Sequence, residues 1–242
     1  MAKRKQSLPK RFYQEATIAP EAGGGASVRL DGKPVRTPGK APLVLPNAGV
    51  AEAVAEEWRA QGERIDPGTM PLTKLANSIL EGVRGREDAV VGDVLAYAGS
   101  DLVCYRAAGL EGLAAAQAKH WDPVVAFARQ LGAPLRLGEG MVHVDQPEAS
   151  LDAIKRRLEG FDAWPLAALH VMTALTGSAL IALAVALGRL SPEEAWEAAH
   201  VDEDWQIGQW GEDEEAADRR RRRWRDFAAA AQMLKLLQAL TR

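Results

Sequence analysis

The first third of the chain alternates short apolar runs with turn residues, a pattern typical of short β-strands. Asp31-Gly32 is the strongest hairpin signal, because both residue types tolerate the positive φ angles of a two-residue turn. The predicted strands form an antiparallel meander over residues 14–19, 26–30, 33–37 and 43–45. Apolar residues at helical spacing follow, from the capping residue Asn47 to Trp58 and again over about 71–81. We therefore predict a small antiparallel sheet with two helices.

Beyond Gly82 the pattern changes to alanine- and leucine-rich segments with helical periodicity. The predicted helices cover about residues 87–98, 112–131, 148–159, 165–187, 192–210 and 214–240. Two short segments, Asp101–Arg106 and Met141–Val144, have strand character and either pair or connect helices. A boundary near Arg84 gives an N-terminal α+β domain, 1–84, and a larger all-helical domain, 85–242, resembling an orthogonal bundle. The predicted fold class is α+β.

The segment Trp164–Leu187 is almost wholly apolar and is long enough to span a bilayer. His170 and two threonines interrupt it, and Gly177-Ser178 can kink or divide it. A helix that is hydrophobic all round is also typical of the centre of a helical domain. We favour this second interpretation and predict no membrane insertion.

The segment Ser191–Gly211 contains its own helix-start signals. Ser191 and Glu194 fit a capping box, with Pro192 at the first helical position. If the segment is one helix, a single face carries Trp196, Ala199, Glu203, Gln206, Ile207 and Trp210. A carboxylate between tryptophans needs a buried partner or another molecule to contact. Glu203 is therefore either a paired core residue or a contact for a partner protein.

Composition limits the possible functions. The chain has 242 residues, 47% of them hydrophobic and 26% charged, which is typical of a soluble globular protein. The formal net charge of −3 argues against general nucleic-acid binding, although residues 1–11 form a basic arm. A single cysteine, Cys104, indicates a reducing compartment and excludes a cysteine-based zinc site. Without a secretory signal or import presequence, we expect a bacterial cytoplasmic protein.

Chemistry-bearing motifs are scarce. No nucleophile elbow, phosphate-binding glycine loop, dinucleotide fingerprint or zinc-protease helix occurs, and the four histidines lack metal-ligand spacing. His200 and Glu203 lie three residues apart and are the one candidate acid–base pair. The alternative to a binding protein is therefore a small hydrolase or transferase that uses these two residues in a cleft between the domains. We favour a non-enzyme that needs no cofactor.

Two further features have competing interpretations. The basic run Arg219–Arg223 follows an acidic block, so the pairs Glu215–Arg219 and Asp218–Arg222 are expected along one helix. A protein partner for this run remains open, since arginine suits bidentate contacts to carboxylates. Trp58 belongs either to the core or to a partner interface, where aromatic anchors are enriched.

Several motifs together resemble one family, the assembly chaperones that serve the alpha subunit of the F-type ATP synthase catalytic sector. Besides Leu190–Trp196 and Asp202–Gly211, the resemblance rests on residues 10–13, 30–38, 57–58, 70–77, 104–107 and 120–123. In the first two of these the residues read Lys-Arg-Phe-Tyr and Leu-Asp-Gly-Lys-Pro-Val-Arg-Thr-Pro. The similarity covers most of the chain, from about residue 10 to 230.

The resemblance implies a non-catalytic protein that shields the unassembled alpha subunit until the beta subunit replaces it. Its functional glutamate corresponds to Glu203, and its tryptophan after a glutamate corresponds to Trp58. We add three neighbours of Glu203 as predicted partner-binding residues: Asp202, Asp204 and Trp210. Transient masking of one subunit suits a monomer. The sequence shows no nucleotide-binding motif, so we expect no ATP binding.

Overall fold

The computed structural model describes residues 8–140 and 142–238. It consists of two units: one contains the chain up to Arg84 together with the segment from Lys235, and the other is Gly85–Leu234. Most of the predicted basic arm, residues 1–7, lies outside the described residues. The prediction assigned every residue after 84 to the second domain, whereas the segment 235–238 belongs to the first unit. Its carbonyl at Leu236 accepts a hydrogen bond from Asn47 Nδ2 at 3.3 Å.

The first unit contains a four-stranded antiparallel sheet. Its strands are β1 (Ala16–Pro20), β2 (Ala26–Leu30), β3 (Lys33–Pro34) and β4 (Val44–Leu45). Asp31 and Gly32 form the hairpin turn with φ angles of 47° and 78°, as predicted. The predicted meander is wrong in one respect, because β4 pairs with β2 rather than with β3. Beyond β3 the Val35 amide still donates to the Val28 carbonyl of β2 at 2.9 Å, and β4 then pairs with Ala26 and Ser27 at the other end of β2.

Two helices complete this unit: α1 (Ala48–Arg59) and α2 (Pro71–Ser78). Asn47 caps α1 by accepting the Val50 amide at 2.8 Å. The buried face of α1, with Val50 and Val54 fully enclosed, packs on β1 and β2. The predicted α+β fold class is thereby confirmed.

The regular structure in the second unit, as far as its residues are described, is helical apart from one short strand pair. Its helices are α3 (Glu87–Gly99), α4 (Glu111–Gln130), α5 (Glu148–Leu158), α6 (Ala163–Thr176), α7 (Ala179–Ala186), α8 (Pro192–Ala199), α9 (Val201–Trp210) and α10 (Glu214–Gln238). Residues of α10 from Lys235 onward belong to the first unit. Of the two segments predicted to have strand character, the first contains β5 (Tyr105–Arg106), whereas residues 142–144 of the second are not in a strand. Strand β5 pairs in parallel with β6 (Gly138–Glu139), which precedes the second segment.

The long apolar segment is two helices, not one. Gly177 adopts a left-handed conformation with φ 72° and ends α6, and Ser178 then caps α7 through its hydroxyl. Asp101 is fully buried beside this junction and accepts the Leu180 amide at 3.0 Å. Within residues 8–140 and 142–238, no helix combines the length and the apolar character needed to cross a membrane.

The predicted helix over 192–210 is also two helices. The capping box at Ser191 and Glu194 starts α8 as predicted, with both reciprocal hydrogen bonds present. The helix then ends at His200, whose φ of −118° and ψ of 17° break the helical path before α9 begins. Trp196 and Trp210 therefore do not share one helical face: Trp196 is buried, whereas Trp210 is exposed.

Candidate functional site

Helix α9 carries four of the five predicted partner-binding residues, and its inner side is held against α4. Val201 is buried at the start of the helix. Asp202 accepts a hydrogen bond from the Gln117 amide nitrogen at 2.7 Å, while the Gln117 oxygen accepts the Ala107 amide at the same distance. The indole of Trp205 lies so close to Gly112 that a β-carbon there would collide with the ring. This anchoring fixes which side of α9 faces outward.

The outward side carries Glu203 and Trp210. The Glu203 side chain is 40% exposed, and Trp210 is 89% exposed. They are seven residues apart, about two helical turns, so they point in nearly the same direction. Glu203 is thus not a sealed core carboxylate, which removes one of the two interpretations that the sequence left open. A large exposed aromatic residue beside an accessible carboxylate is typical of protein-binding surfaces.

His200 lies beneath this surface and is 7% exposed. Its Nδ1 is 2.8 Å from the Trp196 carbonyl, which can only accept, so the proton is on Nδ1. Burial is the main cause that lowers the pKa of His200, with Arg220 also lowering it and Glu203 opposing. The imidazole is therefore neutral at pH 7 and stacks against Trp196 with ring centroids 4.0 Å apart. Its Nε2 is 3.9 Å from Glu203 Oε2, too far for a hydrogen bond.

Asp204 lies on the flank of α9 and forms an ion pair with Arg220 of α10. This contact is the largest cause that raises the pKa of Arg220. The basic run is therefore partly committed to the fold, but through different pairs from those predicted. Asp218 pairs with Arg221 instead of Arg222, and Arg223 donates to the Leu175 carbonyl at 2.6 Å. Spacing along one helix missed these partners because two of them come from other segments.

Trp58 belongs to the first unit. Its ring makes an edge contact with Tyr13, with centroids 5.7 Å apart, and its carbonyl accepts the Tyr13 hydroxyl at 2.6 Å. The side chain is half-buried, and its indole N–H is buried without a hydrogen-bond partner. Next to Tyr13, Phe12 is an exposed aromatic residue that sequence reasoning did not select.

Comparison with known proteins identifies the family. Residues 10–129 match the family model described as ATP12 chaperone protein. The crystal structure of Atp12 from Paracoccus denitrificans is 40% identical, has a TM-score of 0.87, and is covered over 98% of its length by 94% of this chain. This chain belongs to the ATP12 chaperone family.

Two further proteins that are similar to this chain support the same family. Atu1473 of Agrobacterium tumefaciens, a candidate chaperone, is 47% identical with a TM-score of 0.91, over 95% of this chain and 87% of that one. The mitochondrial protein atp12 of Schizosaccharomyces pombe is 21% identical over 220 residues, which are 86% of this chain and 75% of that protein. The predicted family is confirmed, and it is a family of chaperones for ATP synthase assembly, not of enzymes.

Family motifs that lie far apart in sequence meet in the fold. Glu57 accepts the amides of Leu72 and Thr73 at 2.7 and 2.8 Å, and the Thr73 hydroxyl at 2.7 Å. It thereby caps α2, whose own N-cap side chain provides no hydrogen bond. Burial raises the pKa of Glu57, and these hydrogen bonds oppose that shift. The glutamate of the Glu-Trp motif thus stabilises the fold of this chain.

The motifs at 104–107 and 120–123 meet in the same way. Arg106 pairs with Asp122 at 2.8 Å, and its guanidinium lies over the Trp121 ring at 5.4 Å from the centroid. The Trp121 N–H donates to the Ala198 carbonyl of α8 at 2.6 Å. These contacts position α8 and hence the start of α9. In the described part of the chain, no group of three or more histidine, cysteine or acidic side chains is arranged to hold a metal ion.

Sequence reasoning missed two residues that shape the site. Gln117 ties α4 to Asp202 and to the backbone at Ala107. Trp205 forms one wall of a groove between α4, α8 and α9, which Glu197 also lines. The sequence did contain a signal for Trp205, because this tryptophan lies only one position before Gln206, a member of the predicted face. Taking 192–210 as one helix hid that signal.

Proposed function

We propose that this ATP12-family chaperone binds the unassembled alpha subunit of the F-type ATP synthase catalytic sector and shields its assembly surface until the beta subunit replaces it. The observation that supports this most directly is the exposed pair on α9, Glu203 and Trp210. The family's role in ATP synthase assembly narrows the client to a subunit of that enzyme. The motif resemblance favours the alpha subunit.

The physical logic is temporary masking. An unassembled subunit exposes surface that its neighbours normally cover, and such surface promotes aggregation. A chaperone for it needs an aromatic anchor that excludes water, and polar groups that allow exchange for the final partner. Trp210 supplies the anchor, and Glu203 supplies a carboxylate for a basic or amide group of the client.

The other three predicted partner-binding residues, Asp202, Asp204 and Trp58, are less accessible to a client or already bound to other residues of the chain. Asp202 is committed to Gln117 and Asp204 to Arg220, so we propose that they support the client surface by holding α9 in place. Trp58 is half-buried, and we propose that the accessible part of its ring contributes a client contact from the first unit. The monomeric state and the bacterial cytoplasm stay predictions.

Binding of purified alpha subunit to the wild-type protein and to Glu203→Lys tests the proposal. We expect the lysine variant to weaken binding at least about tenfold, because reversing a charge at an interface adds repulsion to the lost contact. Glu203→Gln, which keeps the shape and removes the charge, is expected to lie between the two. Titration calorimetry measures all three affinities.

Glu193→Lys is the matched control, since Glu193 is an exposed carboxylate on neighbouring α8. It should bind like the wild type, and thermal unfolding should show that every variant is folded. No binding of alpha subunit to the wild type would contradict the proposed function. Equal weakening by Glu193→Lys and Glu203→Lys would instead assign the effect to overall charge.

A further inference from the structure

A second recognition feature lies on the flank of α9, away from the Glu203 side. It is a groove of about 400 Å³ between α4, α8 and α9, lined by Ala116, His120, Glu197, Val201, Asp204 and Trp205. This volume is within the range of small-ligand pockets, so it can hold one long side chain of a partner. Residue 203 is rotated by about 100° from residue 204 along the helix, so the two features face different directions.

The walls of the groove favour a cation with a flat apolar surface. Trp205 presents an indole, the aromatic ring that attracts cations most strongly. Its packing against Gly112 holds the ring in place before any ligand arrives, which lowers the entropic cost of binding. The groove is therefore a preorganised aromatic wall rather than a flexible surface.

The charged residues of the groove also favour a cationic ligand. Asp204 is neutralised by its ion pair with Arg220. Glu197 is exposed and makes no side-chain hydrogen bond or ion pair with any described residue. His120 adds a polar ring to the lining. The groove thus has one uncompensated carboxylate beside an indole, a combination that matches a guanidinium, which can stack on the ring and pair with the carboxylate in a bidentate manner.

We propose that this groove binds an arginine side chain of the client, with the guanidinium between the Trp205 indole and the Glu197 carboxylate. The source of the arginine rests on the proposed function, whereas the affinity of the groove for a guanidinium does not. An acidic or purely apolar occupant would leave Glu197 without a counter-charge. The groove and the Glu203 side would then hold α9 on the client from two directions.

The groove itself is tested with the full-length protein and N-acetyl-arginine amide, using N-acetyl-citrulline amide as the neutral isostere. The readout is the NMR signal of the Trp205 indole N–H, assigned by its loss in Trp205→Phe. We expect a saturable shift with the arginine compound, in the millimolar range, and none with citrulline. Glu197→Lys should abolish the shift, and Glu193→Lys should retain it. Equal responses to both compounds, or an unchanged response in Glu197→Lys, would overturn the proposal.

A second experiment measures binding of the alpha subunit to the same variants. Glu197→Lys should weaken its binding about tenfold and Glu193→Lys less than about twofold, with stronger weakening at low salt. If Glu203→Lys lowers affinity while Glu197→Lys behaves like Glu193→Lys, the groove is not a client contact and the proposed function stands. If the wild type binds no alpha subunit but the arginine shift is present, the proposed function and the client source fall, and only the guanidinium site remains.

Discussion

Two carboxylates in the helical unit show opposite ways of accommodating a charge. Asp101 is fully buried and is surrounded by donors, among them the amides of Val103 and Leu180 at 3.3 and 3.0 Å. Glu203 is 40% exposed, and its carboxylate lies 3.9 Å from Nε2 of the neutral His200. Burial raises the pKa of Asp101 to about 6 although hydrogen bonds oppose the shift. The Asp101 carboxylate is bound by groups of the protein itself, whereas the Glu203 carboxylate is accessible to another molecule.

This difference separates residues that hold the chaperone together from residues that contact a client. Asp101 joins the end of α3 to the start of α7 through backbone amides, and Glu57 does the same for α2 in the other unit. A motif residue can therefore be essential because of folding alone. High side-chain exposure, rather than position in a motif, distinguishes Glu203 and Trp210.

The largest effect is expected from Asp101→Ala. It leaves buried amides without acceptors at the α6–α7 junction, which should lower the free energy of unfolding by roughly 2–4 kcal/mol. Urea denaturation followed by circular dichroism measures this change. The exposed Asp152→Ala on α5 is the control and should change it by less than about 0.5 kcal/mol. Similar values for both variants would remove the distinction between the two kinds of carboxylate.

The pH dependence of stability gives a second test. Asp101 has a higher pKa in the folded protein, about 6, than the ordinary 3.8, so the folded state holds the proton more tightly. Its stabilising contribution is complete below pH 3.8, is lost as the pH rises to about 6, and is constant above that. Relative to Asp101→Asn, the wild type should lose roughly 3 kcal/mol across this window. A constant difference between the two proteins from pH 4 to pH 7 would contradict it.

The smallest effect on folding is expected at Trp210. Trp210→Ala should weaken binding of the alpha subunit about tenfold and change the free energy of unfolding by less than about 0.5 kcal/mol. Val142→Ala, another exposed apolar truncation, should alter neither quantity. Calorimetric titration and urea denaturation of the same samples separate the two outcomes. If Trp210→Ala destabilised the protein as strongly as Asp101→Ala, α9 would be a structural element instead of a client surface.

The sequence predicted those elements whose signals are local. The Asp31-Gly32 turn, the Asn47 cap and the Ser191–Glu194 capping box all depend on residues within four positions of each other. Tertiary contacts decided the rest. The pairing of β4 with β2 and the Asp204–Arg220 ion pair each join segments that are distant in sequence. The end of α6 at Gly177 belongs to the local signals, because glycine readily adopts the left-handed conformation found there.

The candidate site was predicted in part for the same reason. A carboxylate among tryptophans drew attention to Glu203, but the pattern was read as one continuous helix. A continuous helix would place Trp196 on the same face as Trp210 and would exclude Trp205. In the structure Trp196 is buried, and Trp205 lines the groove. The break at His200 separates Trp196 from this face, whereas Glu203 and Trp210 stay together on the outward side of α9.

The break also determines which changes in length this surface tolerates. At His200 the regular rotation of about 100° per residue is interrupted, so the side on which an α9 residue lies cannot be counted from α8. Between Glu203 and Trp210 no such interruption exists, and each inserted or deleted residue turns one about 100° away from the other. Relatives that keep a client surface of this kind should therefore retain seven residues between the carboxylate and the tryptophan.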